Sequence, residues 1–370
     1  MPTVVFYISG HGFGHASRDV EVINVLGRGR PDLRLILRSA VSPDLLARTI
    51  TAPYELRPGP SDTGIVQSSS VAHDDPATIA RAVAFHRRRT AWVDAEVTAL
   101  RHDDVRLVFG DIPPLAFDVA ARLGVPSVAM ANFTWDWIYE THPGFQEAAP
   151  DVIADMRASY ARASLALELP FSGGFGVFRR VEPVPLVARR ATRGRAETRA
   201  HFGLPPARRV ALLSFGGYGL PALDLTTIDC LDTWTIVTTD RVSPDATGLP
   251  ASVVAIAEHQ FLSNGFRYED LVAASDVVVT KPGFGIIAEC ISAGTAMLYT
   301  SRGRFREYDV LVEALPRYVR SRFIPQDDLF EGRWREALTI LDAQPPPPDR
   351  LATNGAEIAA GWLIETLSAG

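Results

Sequence analysis

Short runs of apolar residues alternate with longer amphipathic stretches along the whole chain. In the first half, these runs predict strands at Thr3–Ser9, Leu33–Arg38, Val105–Gly110, Val125–Ala131 and Leu165–Leu169. In the second half, they predict strands at Arg209–Phe215, Thr235–Thr239, Ser252–Ala255, Asp276–Thr280 and Ala296–Thr300. Helical periodicity marks the segments Pro76–Leu100, Pro114–Leu123, Tyr268–Ala274, Gly285–Ala293 and Arg306–Leu315. Because apolar strands separated by helices are typical of parallel sheets, the pattern predicts an α/β fold.

Proline-rich stretches divide this pattern into two halves. The segment Val181–Pro206 combines prolines with an arginine-rich run, which is typical of a linker. A second proline run, Pro345–Pro348, precedes an amphipathic helix predicted at Asn354–Leu367. We therefore predict a first domain at 1–185, a linker at 186–206, a second domain at 207–345, and a C-terminal helix within 346–370 that returns to the first domain. Both domains are expected to be doubly wound, Rossmann-like sheets that face each other across a cleft, where such sheets bind ligands.

Composition excludes several classes of protein. The 370 residues carry a formal net charge of −6, so the chain lacks the basic excess expected of a nucleic-acid-binding protein. No basic leader precedes the first predicted strand, and no apolar run approaches the ~18 residues that a membrane span needs. The two cysteines, Cys230 and Cys290, have no metal-ligand spacing. We expect a reduced, cytoplasmic protein with no disulfide, metal or bound cofactor.

One lysine distinguishes a single turn from the rest of the chain. Of the 37 lysine and arginine residues, only Lys281 is a lysine, and codon bias explains the arginines. Lys281 lies between a predicted strand and a predicted helix, at the start of a turn that contains Gly283 and Gly285. A compact ammonium group fits places where a planar guanidinium does not. This turn is therefore a candidate ligand contact.

A glycine-rich turn that contains two histidines comes at the end of the first predicted strand, at Ser9–Arg18. Its Gly-x-Gly-x-Gly spacing differs from the dinucleotide fingerprint, and the next strand ends without an acidic residue for a ribose, so NAD binding is not favoured. His11 and His15 lie within the turn, where a neutral imidazole can act as a general base or simply fill space. Asp111 ends another predicted strand and is a candidate to orient the histidine.

Two turns of the second half are candidate phosphate sites. Ser214–Gly219 follows a strand and offers backbone amides suited to a phosphate or diphosphate, although a plain turn has the same pattern. Gly283 and Gly285 leave room for an anion at a helix start. Glu289, one helical turn further on, can accept paired hydrogen bonds from the vicinal hydroxyls of a ribose or lie exposed on the helix.

Two further segments carry candidate contacts. The loop Ser301–Asp309 places arginines beside Glu307 and Asp309, a combination that suits phosphates and sugar hydroxyls or a solvated surface. In the first half, Asn132–Tyr139 concentrates aromatic residues after a strand. Such a cluster binds sugar rings or apolar scaffolds when it is exposed, and otherwise packs in the core.

Together these motifs resemble the GT-B glycosyltransferases over nearly the whole chain. The most similar groups are MurG with the diacylglycerol glucosyltransferases, and the glycosyltransferase-like region of plant L-arabinokinases with related bacterial proteins. The resemblance is carried by Gly10–Ala16, by Asn132–Asp136, and by Lys281 followed by Gly283, Gly285 and Glu289.

The resemblance implies a nucleoside-diphosphate sugar, first of all a UDP-sugar, bound mainly by the second domain. The implied donor contacts are Gly216, Gly217, Phe261, Leu262, Lys281, Gly283, Phe284, Gly285, Glu289, Arg304, Glu307 and Asp309. The implied acceptor contacts in the first domain are His11, Gly12, Phe13, Asn132, Trp135 and Asp136. His15 matches the catalytic base, with Asp111 placed beside it. Within the donor set, the backbone of Phe261 and Leu262 matches the base contact, and Glu289 matches the ribose carboxylate.

The implied reaction is an inverting, metal-independent transfer of the sugar to a hydroxyl- or amine-bearing small molecule or natural product. The sequence contains no Asp-x-Asp motif for a metal. A monomer or homodimer is expected. Two alternatives remain open: a GT-B nucleotide-sugar epimerase, and a catalytically silent module that binds a nucleotide sugar.

Overall fold

The computed structural model describes residues 1–11, 13–69, 72–216, 220, 222–239, 249–257, 260, 265–303 and 305–369. The strands of the first half are β1 (Thr3–Ile8), β2 (Arg34–Ser39), β3 (Glu55–Pro58), β4 (Gln67–Ser69), β5 (Ala72–His73), β6 (Val105–Asp111), β7 (Ser127–Phe133), β8 (Leu165–Gly173) and β9 (Val181–Pro183). Seven of them form one parallel sheet in the order β3-β2-β1-β6-β7-β8-β9, and β4 pairs with β5 in antiparallel fashion.

The second half repeats this arrangement. Its strands are β10 (Arg209–Ser214), β11 (Trp234–Thr238), β12 (Val253–Ala255), β13 (Val277–Thr280), β14 (Ala296–Tyr299) and β15 (Ser321–Phe323). They form a parallel sheet in the order β12-β11-β10-β13-β14-β15. In each sheet the strand order reverses beside the first strand, which is the switch point where doubly wound folds bind ligands. The predicted pair of Rossmann-like sheets is confirmed.

Helices cover both faces of the two sheets. They are α1 (Phe13–Gly29), α2 (Pro43–Thr49), α3 (Asp75–Arg87), α4 (Arg89–Leu100), α5 (Leu115–Leu123), α6 (Trp135–Tyr139), α7 (Phe145–Ala148), α8 (Pro150–Tyr160), α9 (Arg195–His201), α10 (Tyr268–Ala274), α11 (Phe284–Ala293), α12 (Arg306–Tyr318), α13 (Gln326–Phe330), α14 (Arg335–Asp342) and α15 (Gly355–Ala369). Strand β1 shows why its sequence is apolar throughout: Phe6 and Ile8 pack into one core and Val5 and Tyr7 into another.

The C-terminal helix returns to the first half, as predicted. Helix α15 packs against α1 and buries Ala359 and Leu363 in the core that also contains Ile23 and Leu26. Since Ile23 and Leu26 lie on α1, the last helix completes the layer that covers the first sheet.

Two segments differ from the sequence-based expectation. The predicted helix Pro76–Leu100 is two helices, α3 and α4, which meet at Arg88. The predicted linker is only partly a connection, because it contains helix α9. Arg199 of this helix is buried and donates to the carbonyl of Ala274 at 2.9 Å and to Asp276 at 2.8 Å. An arginine that the sequence suggests is exposed in a linker is thus held by a carbonyl and a carboxylate of the second half.

Helices α1 and α11 bring the two glycine turns together. A Cβ atom built on Gly285 would lie 3.7 Å from the Cα of Gly14 and 3.7 Å from the Oγ of Ser17. Phe284 joins the core of the first half, and the Arg18 guanidinium lies 5.1 Å from its ring centroid. The start of α1, after β1, therefore faces the start of α11, after β13.

Candidate functional site

The first element of the site is a buried histidine–aspartate pair. His15 lies in the first turn of α1, and Asp111 is the last residue of β6, which pairs with β1. Their Nδ1 and Oδ1 atoms are 2.8 Å apart. When Nδ1 donates its hydrogen to Asp111, the lone pair of the ring is on Nε2, which is the state a general base requires. The sequence placed His15 in the glycine-rich turn after the first strand and Asp111 at the end of another strand, and in the structure the two side chains are in contact.

Arg18, one turn after His15 on α1, fixes the carboxylate of this pair. Its Nε and Nη2 atoms donate to the two oxygens of Asp111, each at 2.5 Å. The 2.9 Å separation of Nη2 from Nδ1 of His15 arises because both donors share Oδ1. Burial alone would raise the pKa of Asp111, but Arg18 and then His15 outweigh it and hold this pKa below its usual value. Asp111 therefore stays ionised.

The pKa of a neighbouring carboxyl, that of Asp19, is shifted in the opposite direction. Asp19 is fully buried next to Arg18 on α1. Burial, and then the charge of Asp111, raises the pKa of Asp19 well above its usual value. Of the two carboxyls, Asp111 is the one that the pairing with Arg18 favours in its ionised form.

A chain of buried hydrogen bonds connects this pair to the second half. Nη1 of Arg18 donates to Asn132 Oδ1 at 2.7 Å, and Asn132 Nδ2 donates to Glu307 Oε1 at 2.7 Å. Nη1 of Arg302 donates to Glu307 Oε2 at 3.1 Å and to the Pro282 carbonyl at 3.0 Å. We call Arg18, Asn132, Glu307 and Arg302 the bridging network. It joins the histidine pair to the turn that contains Lys281.

The second histidine occupies a different environment. His11 Nδ1 accepts the backbone N–H of Ile65 at 3.3 Å, and the ring lies edge-on to Trp135 with centroids 5.3 Å apart. Burial, then the charges of His15, Arg302, His73 and Lys281, lowers the pKa of His11 well below its usual value. His11 is therefore neutral, with its Nδ1 lone pair already engaged.

The turn around Lys281 presents positive charge toward the first half. Burial, and then the charge of Arg302, lowers the pKa of Lys281 to about 8. Helix α11 begins after Gly283, which provides no side-chain cap, so the first N–H groups of the helix remain for another partner. An anion in the cleft would meet an ammonium, a guanidinium and a helix N-terminus.

Glu289 lies on the second turn of α11 and is almost fully buried. Its Oε1 accepts a hydrogen bond from Nε of Arg189 at 2.8 Å, whereas its Oε2 has no hydrogen-bond partner among the described residues. Burial raises the pKa of Glu289, although Arg189 opposes the shift. The carboxylate is thus oriented through one oxygen while the other remains an acceptor.

The remaining predicted contacts lie in different surroundings, some exposed and some buried. Gly216 is the second residue after β10 and has a φ of +72°, a left-handed conformation that favours glycine. Asp309 is exposed on α12, and Asp136 is buried with an ion pair to Arg157 at 3.0 Å. Trp135 is fully buried, so its ring packs in the core beside His11. The predicted residues that lie outside the described part are Gly12, Gly217, Phe261, Leu262, Arg304 and the side chain of Phe13.

Sequence reasoning missed Arg18 and Asp62. Asp62 is buried in the loop before β4, where its Oδ2 accepts the indole N–H of Trp135 at 2.8 Å. Burial raises the pKa of Asp62, while Ser9, His15 and Trp135 oppose the shift. A Pro-Ser-Asp loop is a common turn, so nothing in the sequence marked this carboxylate. Arg18 lies in the glycine-rich turn, but in a chain this rich in arginine one more arginine does not indicate a site residue.

Among the described residues, no three His, Cys, Asp or Glu side chains are placed to hold a metal ion. In the same part of the chain, no helix is long and apolar enough to cross a membrane.

Comparisons with known proteins support the architecture. No family model matches the chain. The L-arabinokinase of Arabidopsis thaliana is 28% identical over 371 residues, which cover 98% of this chain but only 34% of that longer protein. Among solved structures, a glycotransferase of kitacinnamycin is 18% identical over 99% of both chains, with a TM-score of 0.65. The glycosyltransferase VinC, solved in complex with dTDP, is 16% identical over 100% of both chains, with a TM-score of 0.59. The two parallel sheets, the returning helix and these full-length matches together identify the fold of the chain as GT-B.

Proposed function

We propose that the chain is a glycosyltransferase that moves a sugar from a nucleoside-diphosphate sugar to a small-molecule or natural-product acceptor. The observation that carries this proposal is the His15–Asp111 pair in the first half, which the turn from Lys281 to Gly285 faces from the second half. A base on one side and a diphosphate site on the other is the arrangement that glycosyl transfer needs. The GT-B fold and the dTDP bound by VinC support the choice of donor. UDP is our first choice of nucleotide and dTDP the second.

The proposed reaction is a single displacement. His15 Nε2 takes the proton from the acceptor hydroxyl, and the acceptor oxygen forms a bond to the anomeric carbon as the bond to the diphosphate oxygen breaks. The nucleoside diphosphate leaves with the electron pair of that bond, and the configuration at the anomeric carbon is inverted. Lys281, Arg302 and the N-terminus of α11 stabilise the charge that develops on the leaving group. These cations serve in place of a metal ion in the proposed mechanism.

The donor contacts follow from the same geometry. We assign the ribose hydroxyls to Oε2 of Glu289, the acceptor that lacks a protein partner among the described residues. We assign the diphosphate to Gly216 and to the turn from Lys281 to Gly285. We place the sugar near Glu307, whose oxygens accept hydrogen bonds from Asn132 and Arg302. We further propose a cytoplasmic setting, which suits the unpaired, buried thiols of Cys230 and Cys290.

The test is donor consumption with and without acceptor. UDP-glucose and dTDP-glucose are incubated with the protein and a panel of hydroxylated acceptors in buffer with EDTA, and free nucleoside diphosphate is measured. Release that depends on acceptor, with an inverted anomeric product, supports the proposal. Conversion of the donor sugar to its epimer would instead identify a nucleotide-sugar epimerase. Tight nucleotide binding without turnover would identify a silent binding module.

Lys281→Arg tests the diphosphate turn and gives a pH prediction. The ammonium of Lys281 carries its charge below about pH 8, so wild-type affinity for UDP-glucose should fall between about pH 7 and about pH 9. The diphosphate diester of UDP-glucose keeps its charge over this range. The Lys281→Arg variant should bind roughly tenfold more weakly at pH 7, because the larger guanidinium misplaces the charge, yet show no fall at high pH. Isothermal titration at several pH values measures both effects, and a variant that follows the wild-type curve would refute the assignment.

A further inference from the structure

A polar cavity opens beside His11 in the first half of the molecule. Its volume is about 240 Å³, well above the roughly 10–15 Å³ that one buried water needs, so it accommodates an organic molecule. The polar side chains that line it include Asp62, Gln67 and Arg81 as well as His11. His11 comes from the glycine-rich turn after β1, and the other three come from the segment 60–67 and from α3.

The inner end of the cavity carries a carboxylate close to the histidine pair. Asp62 is buried, and both His15 and Asp111 act on it electrostatically. It accepts hydrogen bonds from the Trp135 indole at 2.8 Å and from the Ser9 hydroxyl. A carboxylate has about four acceptor positions, so two remain for hydroxyl groups of a ligand.

The outer end carries a positive charge. Arg81 lies on α3, is exposed, and forms no ion pair with any carboxylate of the described residues. A guanidinium presents paired donors that match a carboxylate or a phosphate. Gln67, on β4, adds an amide to the same cavity. The cavity thus has a carboxylate that can accept hydrogen bonds from hydroxyls at one end and a guanidinium that can bind an anion at the other.

We propose that the acceptor is a hydrophilic, sugar-like molecule that carries an anionic group, with hydroxyls at Asp62 and the anion at Arg81. This inference rests on the proposed function, because it takes the cavity as the acceptor site of a glycosyltransferase. One of the hydroxyls held at Asp62 then lies toward His15, the proposed base. An apolar, flat acceptor would cover the remaining acceptor positions of Asp62 and the guanidinium of Arg81 without forming hydrogen bonds to either group.

The experiment measures binding of four probes to the donor-free protein by isothermal titration: D-glucuronate, glucose 6-phosphate, glucose and 4-nitrophenol. Both anionic sugars should bind at least tenfold more tightly than glucose, and 4-nitrophenol should bind most weakly. Arg81→Gln should reduce the affinity for both anionic sugars to the affinity that the protein has for glucose. Asp62→Asn should lower the affinity for all three sugars by a similar factor, so the ratios between the three affinities should stay the same. The ranking of glucuronate against glucose 6-phosphate identifies a carboxylate or a phosphate as the preferred anion.

Arg87→Gln is the matched control, because Arg87 is an exposed arginine of the same helix that does not line the cavity. It should leave all four affinities unchanged. The inference is overturned if no anionic sugar binds, if 4-nitrophenol binds most tightly, or if Arg81→Gln binds like the wild-type protein.

A parallel assay with UDP-glucose and dTDP-glucose separates this inference from the proposed function. Nucleoside diphosphate released only with apolar acceptors would overturn the acceptor class and support the transferase. Arg81-dependent binding of anionic sugars without release from either donor would support the anionic-sugar site and overturn the transferase.

Discussion

Replacing His15 with alanine should reduce the rate of sugar transfer by about 10²–10⁴-fold while affinity for the nucleoside diphosphate stays within about twofold of wild type. The imidazole is the group placed to accept the acceptor proton, since its Nδ1 is committed to Asp111 at 2.8 Å. The donor contacts assigned to Lys281 and Glu289 lie in the second half of the chain and are unaffected. Single-turnover kinetics and isothermal titration with UDP measure the two quantities separately.

His142→Ala is the matched control for this experiment. His142 is also buried in the first half, and its Nδ1 lies 2.9 Å from Oδ1 of Asp75, so the mutation breaks a pair of the same geometry away from the glycine turns. Its turnover should equal that of the wild type after correction for the folded fraction. Equal losses in both variants, or full turnover in His15→Ala, would show that His15 is not the base. His11→Ala then becomes the decisive variant.

The central strands of both sheets were predictable because they are buried on both faces. Strand β1 is apolar from Val4 to Ile8 since helices cover it on both sides, and its predicted and observed bounds differ by one residue. The break between α3 and α4 at Arg88 was not predictable, because the helical pattern continues through this exposed residue without glycine or proline. Tertiary packing, which a local pattern does not contain, fixes the change of direction there.

The candidate site was predictable as far as it depends on strand ends. Ile8 and Asp111 pair in register, so a histidine shortly after β1 and an aspartate at the end of β6 come together by topology alone. The bridging network was not predictable, because the hydrogen bond between Asn132 and Glu307 joins residues 175 positions apart and depends on how the two halves meet. The aromatic segment shows that a sequence pattern does not reveal burial. Trp135 was a candidate for an exposed contact, and its ring is fully buried.

Arg18→Leu should produce the second large effect, a loss of about 3–5 kcal/mol in the free energy of unfolding. The substitution removes both hydrogen bonds from Arg18 to Asp111 and leaves a buried carboxylate that keeps its contact with His15 but has lost its guanidinium. It also breaks the bridging network at Asn132. Urea denaturation measures the loss, as the change in the free energy of the unfolding transition that involves the first half. Arg30→Leu, which removes an exposed pair with Asp32, should leave the midpoint unchanged.

The double variant Arg18→Leu with Asp111→Asn distinguishes the buried charge from lost packing. Removing both charges eliminates the uncompensated carboxylate, so the double variant should regain most of the stability that Arg18→Leu loses. Its turnover should nevertheless remain low, since a neutral amide at position 111 no longer holds His15 with its lone pair on Nε2. If the double variant were as unstable as the single one, the contribution of Arg18 would lie in packing against Phe284 rather than in its pairing with Asp111.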